Sequence, residues 1–536
     1  MTHRKCYLLL LFFFFLNQIY AQVWNPNLDN EKYKNPILFA DYSDPDAVRA
    51  GDDFYMVSSS FNCVPALPVL HSKDLVNWEI VNHIFTHQPP YDVFDNPQHG
   101  NGVWAPSIRF HDGWFYVFYG DPDFGIYMCK TQDPKGAWEA PHLVRAAKGW
   151  IDPCPFWDDD GQAYLVHAFA GSRAGIKSIL VINRMSPDGT ELLDDGVLVF
   201  DGHEGHPTIE GPKMYKRNGY YYIFAPGGGV PTGWQTVLRS KNIYGPYEDK
   251  IVLHQGETPV NGPHQGAWVE LANGESWFLH FQEKQPYGRI VHLQPAQWKN
   301  DWIVIGEDKD GDGTGQPVME WAKPDVGKSY PVTVPQTSDE FESVEPGRQW
   351  QWHANPAPTW AFANTGGFLR LYAVVQPEGS KNLWDAPNLL LQKMPAPEFA
   401  ATAKLAFSHH FDGEKTGLLI MGMDYAYIAL EQEAGQLFLT QSICKGAEQG
   451  NAEQAAGKIP LDNNTVYLQV KVAEGGQCRF GYSLDGKKFT EFGKAFSARE
   501  GKWIGAKVGI FCSRQERMND GGFADVDWFR IDNIKN

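Results

Sequence analysis

One local pattern recurs five times: a polar turn containing Gly or Asp, followed at once by an aromatic strand. It reads Asp52-Asp53-Phe54-Tyr55-Met56-Val57, then Asp112-Gly113-Trp114-Phe115-Tyr116-Val117, then Asp160-Gly161-Gln162-Ala163-Tyr164-Leu165. It returns as Asn218-Gly219-Tyr220-Tyr221-Tyr222-Ile223 and as Asn273-Gly274-Glu275-Ser276-Trp277-Phe278. The aligned aromatics Tyr55, Tyr116, Tyr164, Tyr222 and Trp277 are 61, 48, 58 and 55 residues apart, by subtraction. All-β units at a period of roughly 50 residues predict propeller blades, each a four-stranded sheet. The alternative for this region is an irregular β-sandwich.

Counting back from each aromatic reaches one chemically distinctive residue. Asp44 lies eleven residues before Tyr55, and Trp104, Asp152 and Glu210 lie twelve before Tyr116, Tyr164 and Tyr222. His264 lies thirteen before Trp277. Innermost propeller strands face the central channel, so equivalent positions predict a ring of three carboxylates, one indole and one imidazole. A neutral ligand suits that ring. The 536-residue chain carries a formal net charge of −18 and no Lys/Arg cluster, which excludes nucleic acid and anionic membrane as partners.

The chain divides into three expected parts. Residues 1–21 read as a signal peptide, with His3, Arg4 and Lys5 before an apolar Tyr7–Leu16 and a cleavage site after Ile19-Tyr20-Ala21. The apolar run is too short to span a membrane, and export to the periplasm or medium is expected. Residues 22–330 hold the repeats. After a linker from Pro324 to Thr337, residues 336–536 alternate short β patterns with Gly and Asp turns, predicting a concanavalin-like β-sandwich. That domain is expected to fold alone and to be structural, since no exposed aromatic platform can be picked out in it. Its acids at Asp339-Glu340 and Asp525-Val526-Asp527 leave a structural calcium open, against ordinary turn acids. Asp308-Lys309-Asp310-Gly311-Asp312-Gly313 resembles an EF-hand start, but Met319 stands where the loop needs Glu, so an acidic turn is expected. The six cysteines of the mature chain show no CxxC pair, which argues against zinc and leaves disulfide pairing open.

Three carboxylates around a neutral-ligand channel suggest hydrolysis of a glycosidic bond, which needs one protonated carboxyl and one carboxylate. Tyr42-Ser43-Asp44-Pro45-Asp46, Val103-Trp104-Ala105-Pro106, Ile151-Asp152-Pro153 and Glu210-Gly211-Pro212 resemble the blade motifs of family-43 glycoside hydrolases. Asn35-Pro36-Ile37-Leu38 and His71-Ser72-Lys73-Asp74-Leu75-Val76-Asn77-Trp78 fit the same family's opening. The resemblance implies a five-bladed propeller and an inverting exo-acting enzyme on pentosides of plant cell-wall glycans, needing no cofactor for its chemistry. It implies Asp44 as general base, Glu210 as general acid and Asp152 as the group that raises the acid's pKa. It implies Phe61, Trp104 and Arg289 as pocket residues, and His264 as an axial histidine that binds calcium or an ordered water in many members. Ser43 departs from the family's usual Pro, and Cys154 from its usual Ser or Ala. The first expectation is a non-reducing-end α-L-arabinofuranosidase, the second a β-xylosidase. A catalytically silent carbohydrate-binding propeller is the alternative of another class.

Overall fold

The computed structural model describes residues 22–534, so the expected signal peptide lies outside the described residues. The fold is all-β. Five four-stranded antiparallel sheets follow one another in chain order. They begin with the strands Asp46–Ala50, Trp104–His111, Trp150–Trp157, Lys213–Arg217 and His264–Glu270. Each repeated aromatic pattern forms the second strand of its sheet, paired antiparallel to the first through the polar turn. Aromatic and β-branched residues suit these strands because both of their faces are covered by neighbouring sheets.

The sheets are packed in cyclic order. The first strands of sheets one and two touch, as do those of two and three, three and four, and five and one. Sheets four and five meet through Tyr220–Gly227 against His264–Glu270. Backbone hydrogen bonding also ties the first and fifth sheets: Leu38, ahead of sheet one, bridges Val291 in the third strand of sheet five. Five apolar clusters fill the gaps between neighbouring sheets, for example Ile151, Val166 and Leu180 against Ile209, Met214 and Ile223.

The C-terminal region is built from two eight-stranded sheets. Their inner faces carry Leu418, Ile428 and Ile510 on one side and Ala403, Leu468 and Phe529 on the other, in one shared core. That core does not stop at the domain boundary. Phe39, Tyr287 and Ile290 of the N-terminal region belong to it. The Tyr287 hydroxyl donates to Pro397 O at 2.8 Å and accepts from Gly476 N at 3.1 Å. Val64 and Trp352 exchange backbone hydrogen bonds across the seam. The expectation of a self-sufficient sandwich therefore needs correction: an isolated sandwich would expose the surface that Phe39 and Tyr287 now cover.

The predicted acidic edge of the sandwich forms, since Asp339 and Phe529 bridge. Its acids are already partnered. Glu340 is forked by Arg530, Asp525 by Arg370, and Asp527 is held by Lys404. Asp339 accepts from Trp350 Nε1 and two backbone N–H groups. The Asp308, Asp310 and Asp312 carboxylates do converge, within 4.8 Å, the only such group of three among the described residues. Their oxygens take the loop's own N–H groups, as an acidic turn should. All six cysteines described are buried and unpaired with one another.

Phe39 packs against Trp24 and Tyr287 with ring centroids 5.0 Å apart in each case. Phe39→Ala should lower stability by about 3–5 kcal/mol. Because the core is continuous, calorimetry of both proteins should show one endotherm. A separate sandwich transition in the wild-type chain would contradict the shared core.

Candidate active site

The site residues sit at the openings of the first strands, where the pleat is deliberately broken. Asp44 precedes Asp46–Ala50 and has φ +54°, and Asp152 has φ +57° at a register shift between Ile151 and Cys154. Ala105, Gly211 and Gln265, each next to Trp104, Glu210 or His264, have φ +34°, +58° and +41°. Such bulges re-aim a side chain at a sheet end, here at some 1–3 kcal/mol for each strained residue. Sequence counting placed these residues inside regular strands, and the bulges explain why the offsets drift from eleven to thirteen. The bulge at Asp152 also suspends the two-residue alternation by which Cys154, two residues on in a regular strand, would share the face of Asp152. The Cys154 thiol instead accepts from Arg109 Nη2 at 3.0 Å and Met214 N at 3.3 Å.

Each of the three acids is held differently. Asp44 is buried, and its oxygens accept from Ser59 Oγ at 2.6 Å and from Arg289 Nη1 at 2.9 Å. Ser59 is itself fixed because its hydroxyl accepts from Ala105 N at 2.8 Å. Arg289 is buried too, with its guanidinium 4.8 Å from the Phe281 ring centroid. Glu210 keeps about a quarter of its side chain exposed and meets His264 Nε2 at 3.1 Å. Asp152 is buried with one hydrogen bond, from Gly211 N at 2.8 Å. Gly211 is required there: a Cβ would sit 2.7 Å from Gln265 Cδ, on a left-handed backbone.

The electrostatics follow from these contacts. Burial pushes the Asp152 carboxyl up, and the neighbouring charges of Glu210 and then Asp44 push it further, against the Gly211 N–H and Lys213. The expectation was the reverse assignment, with the raised acid at Glu210. The raised carboxyl is Asp152, the more deeply buried of the two. Lys213, fully buried, donates to Pro106 O and Ser107 Oγ at 2.9 and 2.7 Å and is the cation nearest the pair.

His264 is fully buried, and its Nδ1 has no partner. Calcium wants six to eight oxygens. No third carboxylate, imidazole or thiol atom joins His264 and Glu210 in a metal-sized group among the described residues. The residues present do not fit a calcium site there. They fit a histidine that orients Glu210.

The aromatic wall is larger than expected. Trp104 is partly exposed, anchored by Nε1 to Gly100 O at 2.9 Å. Phe61, only 3% exposed, lies edge-on behind it at 6.4 Å, so it supports the wall rather than forming it. Trp503, from the sandwich, was missed. It is 48% exposed, 6.3 Å edge-on from Trp104 and 6.0 Å from the Arg289 guanidinium. Its loop is pinned by Gly505 N donating to Asp41 Oδ2 at 3.0 Å, while Asp41 Oδ1 accepts from Ser43 Oγ and Arg289 N. A Cβ at Gly100 would meet Trp503 Cδ1 at 3.0 Å, so that glycine makes room for it. The only sequence signal was an aromatic in a Gly-flanked loop 200 residues beyond the repeats.

A buried carboxyl with a raised pKa, a partly exposed glutamate beside it, a third carboxylate bonded to arginine, and an aromatic wall make a site suited to splitting a glycosidic bond. Comparison with known proteins agrees. Residues 33–303 match the model for glycosyl hydrolases family 43, and residues 338–532 match the β-xylosidase C-terminal concanavalin A-like domain. The chain is 40% identical over 487 residues to a putative β-xylosidase of Xylanibacter ruminicola, covering 89% of this chain and 85% of that one. It is 34% identical to a β-xylosidase of Formosa agariphila, covering 93% and 90%. It is 25% identical to a non-reducing end α-L-arabinofuranosidase of Bacteroides ovatus, covering 94% and 96%. A crystal structure of a family-43 protein from Bacillus licheniformis superposes with TM-score 0.80 at 28% identity, covering 94% and 100%. The chain belongs to glycosyl hydrolase family 43. It is a glycosidase that hydrolyses O-glycosyl bonds of an oligosaccharide or polysaccharide, and the silent binding module is set aside.

Two outcomes test the site. The raised Asp152 carboxyl costs stability wherever the unfolded chain's carboxyl is ionised but the folded one resists ionisation. That cost is absent below the ordinary value of 3.8 and grows as pH rises toward about 8. Asp152→Asn should therefore raise the unfolding free energy at pH 8 by on the order of 1–3 kcal/mol, with a matching rise in Tm, and leave both unchanged near pH 3.5. Equal effects at both pH values would contradict the assignment. Trp503→Ala should raise KM for a small aryl glycoside about tenfold with a lesser change in kcat, since it removes stacking area worth about 1–2 kcal/mol. Unchanged steady-state kinetics would place Trp503 outside the pocket.

Proposed function

We propose that this protein is an exo-acting, inverting β-xylosidase that removes terminal xylose from xylo-oligosaccharides of plant cell walls. The observation that carries the choice is the naming of relatives. Those at 40% and 34% identity across most of the chain are β-xylosidases, whereas the arabinofuranosidase stands at 25%. The α-L-arabinofuranosidase expected first therefore becomes the second reading. Its basis is that the same three acids serve either pentose.

The architecture we infer is a five-bladed propeller, supported by five four-stranded sheets whose first strands touch in cyclic order. The site then lies at one mouth of the channel. Trp503 and its loop stand over that mouth, which favours a chain end over a chain middle and so supports exo action.

In the proposed mechanism Asp44 is the general base. Ser59 and Arg289 fix both of its oxygens, leaving it to orient a water for attack at the anomeric carbon. Glu210 is the general acid, held toward the leaving oxygen by His264. In the free protein the shared proton rests on the deeper Asp152. A sugar ring covering the exposed part of Glu210 desolvates that carboxyl and draws the proton to it. Asp152, ionised in exchange, keeps it there by repulsion. Asp44 and Glu210 open the first and fourth sheets, with the fifth between them. That spacing suits the gap of roughly 6.5–9.5 Å that admits a water, and hence inversion. No metal takes part. Export, expected from residues 1–21, belongs to the same proposal, because xylan fragments arise outside the cell.

The kinetic test compares p-nitrophenyl β-D-xyloside with p-nitrophenyl α-L-arabinofuranoside. We expect kcat/KM at least tenfold higher for the xyloside, and the opposite order would restore the arabinofuranosidase reading. NMR should show the first-formed xylose with inverted configuration. Asp44→Ala should lower kcat by several orders of magnitude on every substrate. Glu210→Ala should cost far less on activated aryl xylosides than on xylobiose, because a good leaving group needs little protonation. Equal losses on both would remove Glu210 from the acid's role.

A further inference from the structure

Away from the active site, the seam between the two domains holds a small, partly open cavity whose walls are mostly apolar but carry several cationic and amide side chains. Its volume is about 30 Å³, and it is lined by Tyr42 and His83 from the catalytic side and by Arg348, Gln349, Gln351 and Lys393 from the sandwich side. No carboxylate lines it. This is unexpected in a chain with net charge −18. Lys393 and Arg348 have no acidic partner within salt-bridge distance among the described residues. The nearest feature to Lys393 is the Tyr42 ring, 5.2 Å from its Nζ. Behind it lies Lys507, 3% exposed, whose Nζ donates to Cys63 Sγ at 3.0 Å and Gln351 Oε1 at 3.2 Å, neither a carboxylate.

Asp41 is the one acid whose charge reaches Lys393. Its oxygens are held by Ser43 Oγ, Arg289 N and Gly505 N, and its single charge offsets only part of the charge of Lys393, Lys507 and Arg348. The consequence is visible in the titrating groups. Burial and then the charge of Lys507 push the Lys393 ammonium down to about 8. Burial, then Lys393 and Arg348, hold His83 neutral, with its pKa down to about 3. A neutral imidazole offers one N–H donor. A half-buried ammonium with no carboxylate partner is costly, and where it stands near a second, buried ammonium and a guanidinium a counter-anion lowers that cost.

We propose that this seam binds a phosphate-type oxyanion, held by Lys393, Arg348 and the His83 N–H, and that the anion fastens the sandwich to the catalytic domain. The size of the cavity decides the ligand class. About 30 Å³ exceeds the roughly 10–15 Å³ that holds one water but is too small for a sugar acid. Gln349 Oε1, buried without a partner, accepts the O–H of hydrogen phosphate. Arg348 is exposed and forms the entry, so the anion exchanges with solvent.

The test uses the full-length protein and inorganic phosphate. At matched ionic strength, 10 mM phosphate should raise Tm by about 2 °C over chloride, as expected for a ligand with a Kd near 1 mM. Lys393→Met and Arg348→Gln should each shrink that shift, and the double variant should abolish it. Lys393→Met replaces a half-buried ammonium by an apolar chain of similar length, and Arg348→Gln alters an exposed residue, so both proteins should fold. Isothermal titration at pH 7 should show saturable binding at one site per chain in the wild type alone. Equal Tm shifts with phosphate and chloride, or a phosphate shift that survives in the double variant, would overturn the proposal. Glycosidase activity of Arg348→Gln should match the wild type, so this result stands apart from the xylosidase assignment.

Discussion

Three carboxyl groups crowded into one buried ring are the constraint from which the rest of the site follows. Left alone they would repel, and each would cost several kcal/mol in lost solvation. The protein resolves the conflict by treating each differently. Asp44 receives a buried arginine and a serine hydroxyl. Glu210 keeps partial exposure and a histidine. Asp152 receives one backbone N–H and is left to hold a proton. That asymmetry separates an acid from a base on chemically similar side chains. It also explains why Arg289, Ser59 and His264 surround the ring: each sets the charge state or the direction of one acid.

The positive-φ openings serve the same end. A regular strand would send Asp44 and Asp152 along the pleat and into neighbouring sheets. A left-handed residue at the strand mouth turns the side chain to the axis while the rest of the strand pairs normally. The strain is borne by the sheets behind it, where Trp104 packs against the cluster that holds Val166, Ile182 and Ile223. Site and scaffold are therefore separable in sequence: aromatic strands for support, and one unusual residue at each opening for chemistry.

This separation is why much of the site could be read before folding. The five aromatic patterns mark five second strands, and counting back found Asp44, Trp104, Asp152, Glu210 and His264 because the repeat preserves the spacing between strand mouth and turn. Arg289 was reached only through family resemblance. What could not be read was anything without a repeat. Trp503 comes from a loop of another domain, and its place depends on Gly505 N reaching Asp41 across 464 positions of chain. The charge state of Asp152 was also missed, because like-charge repulsion is symmetric in a sequence. Only relative burial decides which carboxyl keeps the proton. The independence of the sandwich failed for a similar reason. A linker of Pro and Val looks like a boundary, yet Phe39 and Tyr287 on one side complete the core on the other.

The seam thus has a mechanical role in the chemistry. Asp41 accepts three hydrogen bonds at once: one from the sandwich loop at Gly505, one from the backbone of Arg289, and one from Ser43. Ser43 precedes Asp44 in the chain, and Arg289 is ion-paired to it. A shift of the sandwich loop therefore cannot move Trp503 without loosening the groups that aim Asp44. Trp503 and Asp44 are tied through a single buried carboxylate. The site is consequently built by both domains, and the loop's position is a property of Asp44's environment as much as of the wall.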